Sequence, residues 1–425
     1  MLTTNTIPHK HLSIVSAAVL ALSLTLLTSC DSNPIKKIQS LTEEKYPVAN
    51  MPDEPLETPL EINIEPKRLA MTSSWSAGVK DDGTLWTWGT DGLLRETKTG
   101  QDPTPRQVEG VNDAVAVSGA GHMLLLKDDG TVWGWGSNYH GEIDPSDDDT
   151  FIEELRQIQG IENVVDIDAS EFASIFLTQD GSVYILGNKN DYPSECNEFR
   201  ICKITMFNDM NIVKVQGSIS TIFALNDKGE MYTTGFYPKD LGRFEDNSGY
   251  QNFKHKKDLF GLEKVNVPRK VVDFSYGFGN FALLEDGSLW SWGDGSGGWT
   301  AQGTLQNSLK PKKVDGLSKV VKMNSYSANT DNGDLYIWGM YTFEGKMSSN
   351  RSNISRPIKV MSNIRVSQYV EGNGNEFIST LGDTWFWGSN YLAQFGTGDI
   401  QTERYVSKDK TLIPRKSLFN IHANK

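Results

Sequence analysis

The chain has 425 residues, and its 41 basic and 54 acidic side chains give a formal net charge of −13 at pH 7. A surface that binds nucleic acid needs a basic excess, so this composition argues against nucleic acid as a partner. The sequence contains no histidine–cysteine cluster with metal-ligand spacing and no Gly-x-Ser-x-Gly nucleophile motif. We therefore predict no metal, no cofactor and no catalytic residue.

Residues 1–29 are typical of a bacterial export signal. Lys10 precedes 12–27, an uncharged run that is shorter than the about 20 apolar residues of a membrane-spanning helix. The run ends in Leu27-Thr28-Ser29-Cys30, which resembles the lipobox of bacterial lipoproteins. We predict cleavage before Cys30 and acylation of its thiol, palmitate included, which would hold the chain on a membrane of the cell envelope, facing the periplasm or the cell exterior. An ordinary signal peptide that ends near a cysteine is the alternative.

Residues 30–60 are predicted to form a flexible tether that follows the acylated cysteine. The segment contains five prolines, several acidic residues and few large apolar side chains. Such a composition buries too little apolar surface to offset the entropy lost on ordering, so we expect an extended spacer.

From residue 61 onwards the sequence repeats a single pattern of eight residues or fewer. Its seven copies occupy 82–89, 129–136, 180–187, 228–235, 286–293, 332–339 and 382–388. Their closing glycines are 47, 51, 48, 58, 46 and 49 residues apart. A period near 50 residues indicates seven equivalent structural units.

Each copy has the pattern of a β-hairpin. In the second copy the apolar run 123–126 is followed by Asp129-Gly130, which predicts a tight turn of the primed type, and then by a strand with alternating residues. Trp133 and Trp135 share one face of that strand, and the equivalent positions take nine of the eleven tryptophans. We expect these tryptophan rows to form the core between neighbouring units. A stacking platform for sugars or bases is the alternative.

Units of three or four short strands cannot bury both faces alone, whereas a closed ring of them can. The repeat resembles that of the regulator of chromosome condensation family, most clearly at 119–141, and the resemblance covers about residues 65–425. It implies an all-β, seven-bladed β-propeller, which we assign to residues 61–425. We expect the C-terminal segment 412–421 to pair within the blade of the N-terminal copy and so to close the ring.

Two cysteines remain in the propeller region, Cys196 and Cys202, with five residues between them along a polar stretch. In an oxidising compartment they most simply form a disulfide. A metal site is the alternative, although the sequence offers no third ligand beside them.

Long insertions between the repeats carry the candidate interaction residues, because loops on a rigid scaffold often serve recognition. The acidic run that contains Asp147, Asp148 and Asp149 lacks the spacing of a calcium loop, so it is either a solvated loop or part of a charged recognition surface. The glycine-rich stretch 293–298 comes directly after a hairpin and is interpreted as a loop, and His122 as a structural hydrogen-bonding residue. The candidate interaction residues are Asp147, Asp148, Asp149, Lys254, Lys256 and Lys257.

The sequence thus favours a non-enzymatic, monomeric, membrane-anchored propeller that binds or regulates an unidentified protein at the cell envelope. The family resemblance suggests guanine-nucleotide exchange as an alternative, which the export signal argues against. A glycan-active enzyme of the envelope, with acidic side chains at the centre of the ring, is a second alternative.

Overall fold

The computed structural model describes residues 46–90, 94, 100–187, 201–218, 221–235, 238–243, 261–342, 351–370, 376–388, 390, 392–400 and 414–422. The chain divides into two compact units, 1–47 and 48–425, and the strands of the described residues lie in the second unit. Among the described residues, no helix has the length and apolar character needed to cross a membrane. The predicted export signal and its Cys30 lie outside the described residues, as do Cys196, Lys254, Lys256 and Lys257.

Residues 48–425 form seven antiparallel sheets of four consecutive strands each, which confirms the predicted seven-bladed propeller. Blades 1 to 4 contain β1 (Leu69–Met71), β2 (Trp75–Val79), β3 (Leu85–Thr90), β4 (Gln101–Gln107), β5 (Ala114–Gly119), β6 (His122–Lys127), β7 (Val132–Ser137), β8 (Phe151–Gln157), β9 (Val164–Ala169), β10 (Ala173–Thr178), β11 (Val183–Gly187), β12 (Cys202–Lys203), β13 (Ile212–Ser218), β14 (Thr221–Asn226), β15 (Met231–Gly235) and β16 (Glu263–Lys264). Blades 5 to 7 contain β17 (Val271–Ser275), β18 (Gly279–Leu284), β19 (Leu289–Gly293), β20 (Ser308–Lys313), β21 (Val320–Met323), β22 (Ser327–Thr330), β23 (Leu335–Thr342), β24 (Arg351–Met361), β25 (Val366–Tyr369), β26 (Glu376–Ser379), β27 (Asp383–Phe386) and β28 (Arg415–Asn420). A 3-10 turn at Thr205–Phe207 and a short helix α1 (Pro238–Leu241) lie outside the sheets.

The meander gives the propeller two unlike faces. Turns between the second and third strands of each blade, and the connections to the next blade, lie on one side, which we call the hairpin face. Turns between the first and second strands, and the longer loops between the third and fourth strands, lie on the other side, which we call the loop face. Because successive strands are antiparallel in every blade, this division holds around the whole ring.

The hairpin turns differ from the predicted primed type. In blade 1 the N–H of Gly83 donates to the carbonyl of Lys80 (3.0 Å), and Gly83 has a φ of +78°, whereas Asp82 is not left-handed. This is a three-residue turn that ends in a left-handed glycine. The Asp82 carboxylate instead accepts hydrogen bonds from the N–H (3.1 Å) and hydroxyl (2.6 Å) of Thr84. The prediction of a primed turn was wrong because aspartate here caps the turn through its side chain and does not adopt a left-handed backbone.

The tryptophan rows form the core between blades, as predicted. The second tryptophan of each pair is fully buried, including Trp88, Trp135 and Trp292. Trp135 packs in the core shared with blade 1, and Trp292 in the core shared with blade 4. The first tryptophan is partly exposed at the rim of the same cluster, as Trp133 is. Through these contacts the aromatic face of a blade packs against the preceding blade and completes the core between them.

Ring closure differs from the expected strand exchange. The C-terminal strand β28 pairs with β27 in the last blade and not with the first blade. Closure is instead made by side chains, since the Phe419 ring lies 5.1 Å from the Trp88 ring of blade 1. The indole N–H of Trp88 also donates to the Gln394 carbonyl (2.8 Å) of the last blade. The expectation was wrong because each blade is complete with four consecutive strands, so no strand is left to exchange.

At every blade interface at least one polar contact joins residues on or next to the innermost strands. The contacts are Val117 N to Lys67 O (2.7 Å), Ala169 N to Ser118 Oγ (2.9 Å), Gly217 N to Asp168 Oδ2 (2.8 Å), Tyr276 N to Gln216 Oε1 (2.9 Å), Ser275 Oγ with Ser325 Oγ (2.9 Å), Asn324 Nδ2 to Val370 O (3.3 Å) and Arg68 N to Gln368 Oε1 (2.8 Å). This circuit of hydrogen bonds fixes the inner wall of the ring and leaves the loops as the variable part of the molecule.

Residues 48–66 run along the propeller as an extended segment, which we call the N-terminal strap. Val48 forms a β-bridge with Ile358 on the outer strand of blade 6. The N–H groups of Met51 and Leu56 then donate to carbonyls of the hairpin face, at 2.8 and 2.9 Å. The sequence assigned 48–60 to a flexible tether, whereas in the structure this part is hydrogen-bonded to blades 5 and 6. Prolines hold it extended, so that the remaining N–H groups reach turn carbonyls.

Candidate interaction face

Asn138 organises the long loop of blade 2 on the loop face. Its amide N–H groups donate to the carbonyls of Asp144 (2.9 Å) and Asp149 (3.1 Å). Its side-chain oxygen accepts from the N–H groups of Ile143 (3.1 Å) and Asp144 (3.0 Å). Asn390 makes the same kind of contacts in blade 7. The asparagine of the repeat is therefore a scaffold that gives the loop a defined shape.

The predicted acidic residues of this loop have unequal surroundings. The guanidinium of Arg156 pairs with the carboxylate of Asp147 and lies 3.6 Å from that of Asp144. The backbone N–H of Asp149 and the Arg156 guanidinium hold the pKa of Asp147 below its usual range. Asp148 and Asp149 are exposed. No group of three or more potential metal ligands occurs among the described residues.

Aromatic side chains from blades 2 and 3 meet beside this loop. Tyr139 is 72% exposed, and its ring contacts that of His140 edge-on, with centroids 5.0 Å apart. The His140 ring in turn contacts Phe172, from the first turn of blade 3, at 4.7 Å. The sequence did not single out this trio, because its members come from loops of two blades. The available signal was an aromatic residue directly after the scaffold asparagine.

A buried polar network fixes the aromatic loop to blade 3. The Ser174 hydroxyl donates to the carbonyl of Glu142 (2.7 Å), so it accepts from Nε2–H of His122 (2.7 Å). Complete burial lowers the pKa of His122 to about 3 and keeps it neutral. The interpretation of His122 as a structural hydrogen-bonding residue is confirmed. Glu142, whose pKa is raised by burial, accepts from the N–H of His140 (2.8 Å).

A second aromatic patch lies on the loop face of blade 5. The Phe278 ring stacks on Trp299, with centroids 4.3 Å apart and planes at 19°, and Phe278 is 50% exposed. Trp299 belongs to the loop between β19 and β20, which also contains the glycine-rich stretch 293–298. No helix comes after that stretch, so its interpretation as a loop rather than a dinucleotide-binding motif is confirmed within the described residues.

Ion pairs between residues on or next to the innermost strands line a cavity in the channel at the centre of the ring. Nζ of Lys67 lies 3.2 Å from Asp166 and 3.5 Å from Asp168, and Nζ of Lys214 lies 2.7 Å from Asp273. The cavity between them encloses about 60 Å³, well below the about 300–1,000 Å³ of a small-molecule site. Each of these carboxylates therefore faces a lysine and not an open cleft.

Cys202, the described member of the predicted disulfide, lies on β12, the short outer strand of blade 3. Its predicted partner Cys196 lies outside the described residues, so the pairing stays a prediction.

Comparison with known proteins gives a family match and several relatives. The family model of the regulator of chromosome condensation (RCC1) repeat matches residues 114–142, which is the copy that the sequence identified as the most similar. The human E3 ubiquitin-protein ligase HERC2 is 27% identical over 252 residues, 54% of this chain and 5% of the ligase. The ultraviolet-B receptor UVR8 of Arabidopsis thaliana is 27% identical over 171 residues, 38% of this chain and 37% of the receptor. The chain thus spans well under two thirds of either relative.

Two solved structures share the architecture. Human WBSCR16 has a TM-score of 0.63 at 19% identity, covering 79% of this chain and 95% of that one. Prp20p of Saccharomyces cerevisiae has a TM-score of 0.61 at 20% identity, covering 84% of this chain and 87% of that one. At these identities the likeness concerns the fold.

Proposed function

Because this chain is a seven-bladed propeller of RCC1 repeats, we propose that it is a non-enzymatic protein-binding module that engages its partner through the loop face. We further propose that lipid on Cys30 holds it at a membrane of the cell envelope. Propellers of this fold bind proteins elsewhere, since yeast Prp20p has binding properties towards Gsp1p and histones. That same protein was solved bound to Kap60.

This proposal rests on a difference between the two faces of the propeller. On the hairpin side, the N-terminal strap lies across blades 5 and 6, where Glu54 pairs with Lys319 (3.1 Å) and the Ser318 hydroxyl donates to the Pro52 carbonyl (2.8 Å). Residues 63–65 of the strap also line the mouth of the channel. The loop face instead presents exposed aromatic rings, Tyr139 and Phe278 among them. Exposed aromatic side chains beside polar rims are typical of protein-binding surfaces.

A photo-crosslinking amino acid tests which face binds. It is placed at Tyr139, at Phe278 and, as the control on the hairpin face, at Leu381, which is 73% exposed. We expect a discrete protein adduct in cells from at least one loop-face position and none from Leu381. Adducts from Leu381 alone, or no protein adduct from any position, would contradict the proposal.

The anchor is tested separately by replacing Cys30 with alanine in the full chain. We expect the wild type to incorporate labelled palmitate and to sediment with membranes, and the variant to lose both properties. Label that remains in the variant would place the lipid elsewhere or refute acylation at this cysteine.

A further inference from the structure

Charge is distributed very unevenly around the ring. Residues 114–187, which span blade 2 and most of blade 3, contain fourteen acidic and two basic side chains, a net charge of −12. The rest of the chain holds 40 acidic and 39 basic side chains and is nearly neutral. Almost the whole net charge of the protein therefore resides in two neighbouring blades.

The two basic side chains of this sector are already engaged. Nζ of Lys127 pairs with Asp113 at 3.0 Å, and Arg156 pairs with Asp147 and Asp144. Among the described residues outside 114–187, Lys67 pairs with Asp166 and Asp168 inside the channel, and Lys203 on β12 lies over the Tyr184 ring at 6.0 Å. Arg156 also lies 3.5 Å from the exposed Glu154, whereas Asp148, Asp149 and Glu171 are exposed and form no ion pair with a described residue.

Three of these carboxylates belong to the two loops that carry the aromatic trio. The Asn138 amide, one residue before Tyr139, donates to the carbonyl of Asp149 at 3.1 Å, which holds the backbone of 149 close to the residue that precedes Tyr139. From blade 3, Glu171 is exposed and directly precedes Phe172. Because the buried His122 network fixes the backbone of the blade 2 loop against blade 3, the carboxylates and the rings are carried by loops of defined position on the same face.

We propose that this surface, formed by Tyr139, Phe172, Asp148, Asp149 and Glu171, binds an arginine- or lysine-rich segment of the partner protein. A guanidinium over the exposed Tyr139 ring gains a cation–π contact, and the flanking carboxylates supply ion pairs to neighbouring cations. The inference rests on the proposed protein-binding function and specifies its partner. The strap provides an internal parallel, since its acidic residues meet lysines of blades 5 and 6 in the same extended manner.

The test uses the purified full chain and a short fluorescent peptide of alternating arginine and serine, with a glutamate–serine peptide as its counterpart. We expect the basic peptide to bind and the acidic one not to bind. Affinity should fall steeply as ionic strength rises from about 0.01 M to about 1 M, because the Debye length shortens from about 30 Å to about 3 Å. Equal binding of the two peptides, or affinity independent of salt, overturns the proposal.

Variants locate the site. Tyr139→Ala should weaken binding of the basic peptide about threefold to fivefold, the size of an exposed cation–π contact. The triple variant Asp148→Asn, Asp149→Asn, Glu171→Gln should weaken it on the order of tenfold at low salt. Phe278→Ala, an exposed aromatic on the near-neutral part of the loop face, is the matched control and should bind like the wild type. An equal loss in the control, or no loss in the triple variant, overturns the assignment.

Calcium chloride without peptide distinguishes a cation site from a peptide site. Calorimetric calcium binding that the triple variant abolishes, together with no binding of the basic peptide, would overturn the proposal in favour of a metal site. The crosslinking experiment separates this inference from the general function. An adduct at Phe278 but none at Tyr139 leaves protein binding standing and refutes the basic-segment site, whereas no adduct at either refutes the function itself.

Discussion

Blades 2 and 3 and blades 5 and 6 are built on the same plan and differ in what covers them. Both pairs have four-stranded sheets, left-handed glycines in their hairpin turns and a large buried side chain facing the preceding blade. That side chain is a tryptophan in blades 2, 5 and 6 and Leu186 in blade 3. Blades 2 and 3 carry almost all of the net negative charge. By contrast, residues 261–342, which contain blade 5 and three strands of blade 6, hold eight acidic and eight basic side chains. The interior of the repeat is therefore uniform, while its charge is specific to the sector.

The strap shows how basic side chains of the ring are paired with a segment of opposite charge. The lysines of blades 5 and 6, Lys313, Lys319 and Lys322, pair with Asp53, Glu54 and Glu65 of the strap. In blades 5 and 6, lysines of the ring therefore pair with an extended acidic segment. The acidic side chains of blades 2 and 3 have no such basic segment among the described residues.

The largest expected effect tests whether the interiors of the blades are equivalent. Trp135→Ala in blade 2 and Trp292→Ala in blade 5 each remove a fully buried indole from a core between two blades. We expect each to lower the free energy of unfolding by about 3–5 kcal/mol, since a cavity remains where the ring was. Denaturant unfolding followed by circular dichroism measures both.

If one of the two costs were several-fold smaller than the other, the blades would not be equivalent in their interiors. The partly exposed Trp133→Ala is the control for loss of an aromatic without full burial, and it should cost less than Trp135→Ala.

The second prediction concerns the pH dependence of stability, to which blade 2 contributes a buried histidine where blade 5 has a glycine. His122 occupies the first position of the second strand of blade 2, where blade 5 has Gly279, since each pairs with the closing glycine of its own repeat. The unfolded histidine takes up a proton below about pH 6.5, whereas the folded one stays neutral down to about pH 3. Unfolding therefore binds a proton, and stability falls as pH decreases through this window.

Between pH 7 and pH 5 this histidine should account for about 2 kcal/mol of lost stability. His122→Gln keeps a donor for Ser174 but does not titrate, so its unfolding free energy should change less with pH than that of the wild type. Parallel pH profiles for the two proteins would show that the buried histidine is not the titrating group.

The sequence allowed the blades, their number and their tryptophan core to be predicted, because each repeat encodes its own hairpin through local spacing. Apart from the type of the hairpin turn, which is local, three features escaped it, and each joins residues that are distant along the chain. The closure contact pairs Phe419 with Trp88, the strap meets turns more than two hundred residues further on, and Tyr139 meets Phe172 through His140. Such contacts depend on ring geometry, which no single repeat specifies.

The smallest expected effect concerns two hairpin turns. The strap packs against the turn of blade 5, whereas the turn of blade 2 packs against the connection to blade 3. Gly130 in blade 2 and Gly287 in blade 5 have nearly the same left-handed φ, +77° and +78°. An alanine at either position is strained by about 1–2 kcal/mol for an L-residue in that region. At Gly287 the added methyl would also lie 2.8 Å from the Leu56 side chain of the strap, whereas at Gly130 its nearest neighbour is the backbone of Asn163 at 3.2 Å.

We therefore expect Gly287→Ala to cost up to about 1 kcal/mol more than Gly130→Ala, and to loosen the strap. A protease that cleaves after glutamate reports on this, because Glu54 and Glu57 lie in the strap. Cleavage there should be faster in Gly287→Ala than in Gly130→Ala or the wild type. Equal cleavage in all three would mean that the strap is held by its lysine pairs and backbone hydrogen bonds alone, and that Leu56 contributes little to covering blade 5.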